Sequence, residues 1–151
     1  MSEFKQLTSY QLQKTPMNII TKYFKWVMLV FGTLTFTMFY GLFAPQAALE
    51  SMFGASFDGT LETLVVRSWS ALVGLMGAML IYGAYSENNR IFSISIVAVS
   101  KVIFVSLMFL YGQAFLGTAG MAIIMDCIFI ILSGFYLIAI VIKGPIIDKT
   151  I

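Results

Sequence analysis

Residues 91–111 read IFSISIVAVSKVIFVSLMFLY, and this run decides the class of the protein. Its only charge is Lys101, and its length meets the roughly 20 apolar residues that a helix needs to cross the hydrocarbon core of a bilayer. The rest of the chain has the same character. Of 151 residues, 60% are hydrophobic and 11% charged, whereas a soluble domain carries about 25% charged residues on the surface it turns to water. The mean hydropathy is +0.93. These values predict an integral membrane protein.

Three more stretches are long enough to span. Together they predict an all-α four-helix up-down bundle, a single membrane domain over residues 1–151, with spans at about 26–43, 63–85, 91–111 and 119–142. The connections are an acidic segment at 44–62, the polar turn SENNR at 86–90 and GQAFLGT at 112–118. Short connections place consecutive helices antiparallel. Residues 1–15 read as a polar N-terminal tail, and Thr15-Pro16 as a helix start with a capping hydroxyl and proline at the first helical position. The leader of about 25 residues is long for a signal peptide, and the apolar run that follows exceeds a signal core, so the first stretch reads as a retained span.

Charge placement sets an orientation. Lys5, Lys14, Lys22, Lys25, Arg90, Lys143 and Lys149 fall on one side of a four-span topology, while Glu50, Asp58 and Glu62 fall on the other. The positive-inside rule then puts both termini in the cytoplasm. Tyr23, Trp26, Phe39, Tyr40, Trp69, Tyr82, Tyr85 and Tyr111 lie near span ends, as interfacial aromatics do. A formal net charge of +2, spread along the chain, does not suggest nucleic-acid binding. The chain has no histidine and one cysteine, Cys127, which excludes His-ligated haem or zinc, an internal disulfide and a CxxC redox pair. No metal site, cofactor or catalytic constellation is predicted, and the chain reads as a non-enzyme. Ten methionines read as adaptable packing.

Helices in lipid associate through small residues that let backbones approach. Ser70, Gly74 and Ala78 form such a ridge on the second span, with Arg67 on the same face. Ala119, Ala122, Asp126, Ser133 and Gly134 form a stripe on the fourth, with Ile124, Ile128, Ile131 and Phe135 turned away. Ala98, Lys101, Val105 and Met108 share a face of the third, and Thr33, Thr37 and Tyr40 align on the first.

A lone charge at the centre of a span costs about 2.5–3.5 kcal/mol, so such a residue turns inward and finds a partner. Lys101 lies roughly 15 Å below the outer end of the third span and Asp126 roughly 10 Å below that of the fourth, by the 1.5 Å rise of a helix. The two are predicted to pair. Arg67, one turn inside the second span, could reach the same depth and leave two cations sharing one carboxylate. Three arrangements relieve the surplus. Arg67 reaches outward to water, headgroups or Glu62; Lys101 is neutral; or a ligand with an anionic or carbonyl group completes a cluster with Arg67, Glu62 and Tyr40. Lys101–Asp126 could equally be a pin that fixes helix register. Cys127, about 100° around the helix from Asp126, reads as packing.

The segments LFAPQAALESMFGASFDG and VVRSWSALVGLMGAMLIYGA, with Pro45, Phe53-Gly54, Arg67, Gly74 and Gly77, resemble a pattern in DoxX-like small four-helix membrane proteins of bacteria. The resemblance covers the middle third of the chain. It implies a four-helix bundle in the bacterial inner membrane, beside a partner or an oxidoreductase system. Some relatives are linked to thiol or quinone chemistry, and the lack of a cysteine pair here weighs against a thiol role.

Three functions follow as expectations. The leading one is an accessory or interaction subunit of a membrane complex, in contact with the lipid bilayer and with another membrane protein or a second copy. The second is a bundle that binds or transports a small ligand or anion at Arg67, Lys101 and Asp126, with a lipid or quinone as occupant. The third is a quinone-linked redox accessory protein.

Overall fold

The computed structural model describes residues 23–143. The expected polar tail at 1–15, the Thr15-Pro16 helix start and Lys5, Lys14, Lys22 and Lys149 lie outside them. The described residues form helices joined by short turns and loops, without strands. Helix α1 runs from residue 23 and tightens over its last six residues, Thr37–Leu42, into a 3-10 helix. Helix α2 is Pro45–Phe53, α3 is Thr60–Tyr85, α4 is Glu87–Tyr111, and α5, after a 3-10 turn at Gln113–Phe115, is Leu116–Lys143. Four segments are long and apolar enough to cross a membrane: Tyr23–Leu42, Thr60–Tyr85, Glu87–Tyr111 and Gln113–Ile142.

The acidic segment 44–62, read from the sequence as a connecting loop of open role, contains α2. Pro45 opens it at a position where the missing N–H costs nothing. Gly54 closes it with φ 68°, a left-handed conformation that glycine adopts without steric cost. Its N–H reaches Glu50 O at 2.9 Å. Ala48 and Leu49 are buried beneath α2, which packs on the last turns of α1, on α3 and on α5. Tyr40 and Ser51 share a hydroxyl hydrogen bond of 2.6 Å that ties α2 to α1.

The long helices form a closed ring in the order α1, α3, α4, α5. Phe24 stacks on Tyr136 with centroids 4.0 Å apart, and Phe31 packs on Phe129 at 5.3 Å, closing α1 onto α5. Met28, Leu80, Ile94 and Val97 complete the core in this half of the bundle, the terminal end. Outward-facing positions carry large apolar groups, Leu72, Leu75, Phe92, Val99 and Phe135 among them. Apolar surface on this scale suits hydrocarbon rather than water. Ile124, Ile128, Ile131 and Phe135 face outward.

The ridge on α3 is Ser70, Gly74 and Gly77, all buried, rather than Ser70, Gly74 and Ala78. The face drifts because 3.6 residues per turn brings a position three residues on nearly as close as one four residues on. A Cβ on Gly77 would sit 2.4 Å from Phe36 N and 2.7 Å from Gly32 O, so α1 and α3 touch backbone to backbone. On α5, Ser133 is buried and donates to Ile130 O at 3.0 Å. Gly134 does not pack inside the bundle, since a Cβ there would meet nothing within 4 Å. On α1, Thr35 is buried and Thr33 exposed, the reverse of the expected face. Thr37 is exposed, and its hydroxyl bonds Leu34 O of its own helix at 2.6 Å.

Candidate functional site

Between the ring of helices and the α2 roof lies a cavity of about 450 Å³. Its floor and α1 wall are Phe31, Leu34, Thr35, Thr37 and Met38, and Met52 of α2 faces it from above. Helix α3 contributes Trp69, Val73 and Met76. Helices α4 and α5 supply Val97, Ser100, Lys101 and Phe104, and Met121, Ala122, Met125 and Asp126. The volume falls within the range of small-molecule pockets, and mostly apolar walls with few convergent polar groups are their usual chemistry. Five of the chain's ten methionines line it.

Lys101 Nζ donates to Asp126 Oδ1 across the α4–α5 seam, and the two side chains are 11% and 15% exposed. The lysine ammonium also lies 5.9 Å from the centroid of Phe129. The pair sits in the cavity wall. Lys101 keeps two further donors, and Asp126 its second oxygen, for anything the cavity holds.

Arg67 does not join the pair. Its Nη1 donates to Leu42 O at 2.6 Å, where the last turn of α1 leaves a carbonyl without a helical partner. The negative end of the α1 dipole lies at the same place. Glu62 is exposed in the first turn of α3, without an ion pair to Arg67, and Tyr40 is engaged with Ser51. Arg67, Glu62 and Tyr40 therefore do three separate jobs, and the predicted cluster does not form. Among the described residues the ion pairs are Lys101–Asp126 and Arg90–Glu87, the latter at 3.9 Å.

Two features escaped the sequence reading. Arg90, read as a connecting residue, is 4% exposed. Its Nε and Nη2 donate to Gly83 O at 3.3 Å and Ala84 O at 3.1 Å, capping the end of α3. The other is the α2 roof, whose signal was present in Pro45, the helix-forming QAALESMF and Gly54.

A second hollow lies beyond Trp69 and Phe104, which line both spaces. It is apolar, lined also by Leu49, Val65, Leu107 and Tyr111 between α3 and α4. Compared with family models, curated proteins and solved structures, the chain matches none of them.

Proposed function

We propose that the chain is a small multi-pass membrane protein that holds a small, largely apolar molecule inside its bundle. The observation that carries this reading is the cavity of about 450 Å³ with the Lys101–Asp126 pair in its wall. A pin that only fixed register would be served as well by a packed interior, and the hollow would then cost dispersion contacts without return. Lysines and arginines on the side of the termini support a cytoplasmic placement of both ends. The resemblance to DoxX-like proteins supports the bacterial inner membrane. Native mass measurement after gentle extraction tests the reading. The protein is expected to carry a bound mass that an Ala122→Phe variant, filled at the cavity wall, loses. A folded native protein without any bound small molecule, before and after incubation with a total lipid extract, refutes it.

A second reading, association with another membrane protein or a second copy, rests on α5. Gly120 and Gly134 have open space where a Cβ would stand, and small residues on an outward helix face are what membrane helices use to approach each other. In a Cys127→Ser background, cysteine at position 134 should crosslink across such a contact.

A further inference from the structure

We infer that the cavity selects an uncharged lipophile carrying one group that both donates and accepts hydrogen bonds, a hydroxyl or primary amide, drawn sideways from the bilayer. This deepens the proposed binding function and rests on it.

Charge balance is the first ground. Lys101 and Asp126 neutralise each other in the cavity wall, and Arg67, the cation that could have tipped the balance, is held by Leu42 O outside the lining. An anionic head drawn to Lys101 Nζ would also meet the Asp126 carboxylate, and a cationic head drawn to Asp126 would meet the ammonium. In a low-dielectric wall neither repulsion is screened. A hydroxyl avoids both: it accepts from Nζ and donates to the free carboxylate oxygen. The remaining wall is apolar apart from the hydroxyls of Thr35, Thr37 and Ser100 and the indole of Trp69.

The access route is the second ground. At the terminal end, the Phe24–Tyr136 and Phe31–Phe129 contacts close α1 on α5. Beyond them the last turns of α1 pack on α3 and α2, and the lining residues Leu34 of α1 and Met121 of α5 are 47% and 72% exposed. The cavity thus opens through the side of the bundle, beneath the α2 roof, at a level where the surrounding faces are apolar. A molecule using this opening comes from hydrocarbon. Unbranched, flexible methionines on the walls suit a chain of variable shape.

Trp26 and Trp69 are the only tryptophans, so Trp26→Phe leaves Trp69 as sole reporter. Trp69 lines both the cavity and the hollow beside it, and quenching that Ala122→Phe removes is assigned to the cavity. Its quenching is measured in nanodiscs with 10-bromodecanol, 10-bromodecyl sulfate and 10-bromodecyltrimethylammonium, each competed with its unbrominated parent. The alcohol should quench saturably and bind at least tenfold more tightly than either charged probe. Asp126→Asn, which leaves Lys101 without its counter-charge, should move the preference at least tenfold toward the sulfate. A charged probe that binds the unaltered pair as tightly as the alcohol overturns the inference while leaving the cavity reading intact, and this result does not depend on any variant folding. Saturable quenching by none of the three overturns the cavity reading and the inference with it.

Discussion

Removing one member of the Lys101–Asp126 pair should cost far more than removing both. The side chains are 11% and 15% exposed, so Lys101→Met leaves a carboxylate, and Asp126→Leu an ammonium, without a counter-charge in the bundle. A lone charge at mid-helix costs about 2.5–3.5 kcal/mol on an insertion scale. The Thr35 and Ser100 hydroxyls in the same cavity offer some solvation, so about 2 kcal/mol is the expected loss for each single variant. That is a shift of roughly 30-fold in the folded-to-unfolded ratio. The double variant replaces both charges with apolar groups of similar size and should lie within about 1 kcal/mol of the parent, as exchanged buried pairs do. The cycle then gives a coupling of about 3–5 kcal/mol, at or above the upper end of measured pairwise terms. Reversible unfolding against the mole fraction of dodecyl sulfate in mixed micelles, followed by helical circular dichroism, measures it. A coupling below about 0.5 kcal/mol refutes the claim that the two charges stabilise each other. Binding separates pin from site. The exchanged pair, Lys101→Asp with Asp126→Lys, should fold like the parent, yet hold the ligand more weakly because donor and acceptor have traded walls.

Gly77→Leu should destabilise by about 1–3 kcal/mol or more, since its Cβ would meet Phe36 N at 2.4 Å, while Gly134→Leu should leave the monomer's unfolding curve unchanged because open space surrounds it. Arg90→Met removes two charged donors from the last carbonyls of α3. It should cost about 2 kcal/mol or more in the same assay and speed amide exchange at residues 83–90. Arg67→Gln should lower thermal stability modestly by releasing Leu42 O, and should leave 10-bromodecanol binding within twofold of the parent. A larger loss of binding would place Arg67 in the ligand's reach.

The four long helices were legible because their signal is additive: some twenty apolar residues in a row outweigh any local detail. Lys101 and Asp126 were legible as neighbours for a similar reason, since consecutive antiparallel helices convert sequence distance into depth at 1.5 Å per residue. Arg67 shows where that arithmetic stops. Depth says which groups could meet, while the competing partner was the backbone carbonyl of Leu42, left without a helical partner where α1 ends. No side-chain pattern announces an orphan carbonyl. Arg90 escaped for the same reason, with its acceptors at Gly83 and Ala84. The Thr33/Thr37 face was misassigned because a threonine hydroxyl can bond its own helix, as Thr37 does to Leu34 O, and need not turn inward.

The cavity, which no periodicity foretold, follows from how differently α1 meets its two neighbours. On the α3 side it meets glycines. Gly77 admits the backbone at Gly32 and Phe36, Gly74 admits the Phe39 ring, and Gly41 lies against Ser70. On the α5 side it meets aromatic rings, Phe24 on Tyr136 and Phe31 on Phe129, which hold the helices a ring's width apart. Beyond Phe31–Phe129 no further ring contact joins α1 to α5 among the described residues, and this is where Thr35, Met38, Met125 and Asp126 face the hollow. The two charges stand at the level where the props end. On this view the glycine ridge and the ion pair belong to one device: the ridge opens the space and the pair gives it a polar address. The link can be broken at either end. Leu34→Phe with Met125→Phe, continuing the aromatic props one turn further, should close the hollow and abolish alcohol binding while the ion pair and the unfolding curve stay as they are.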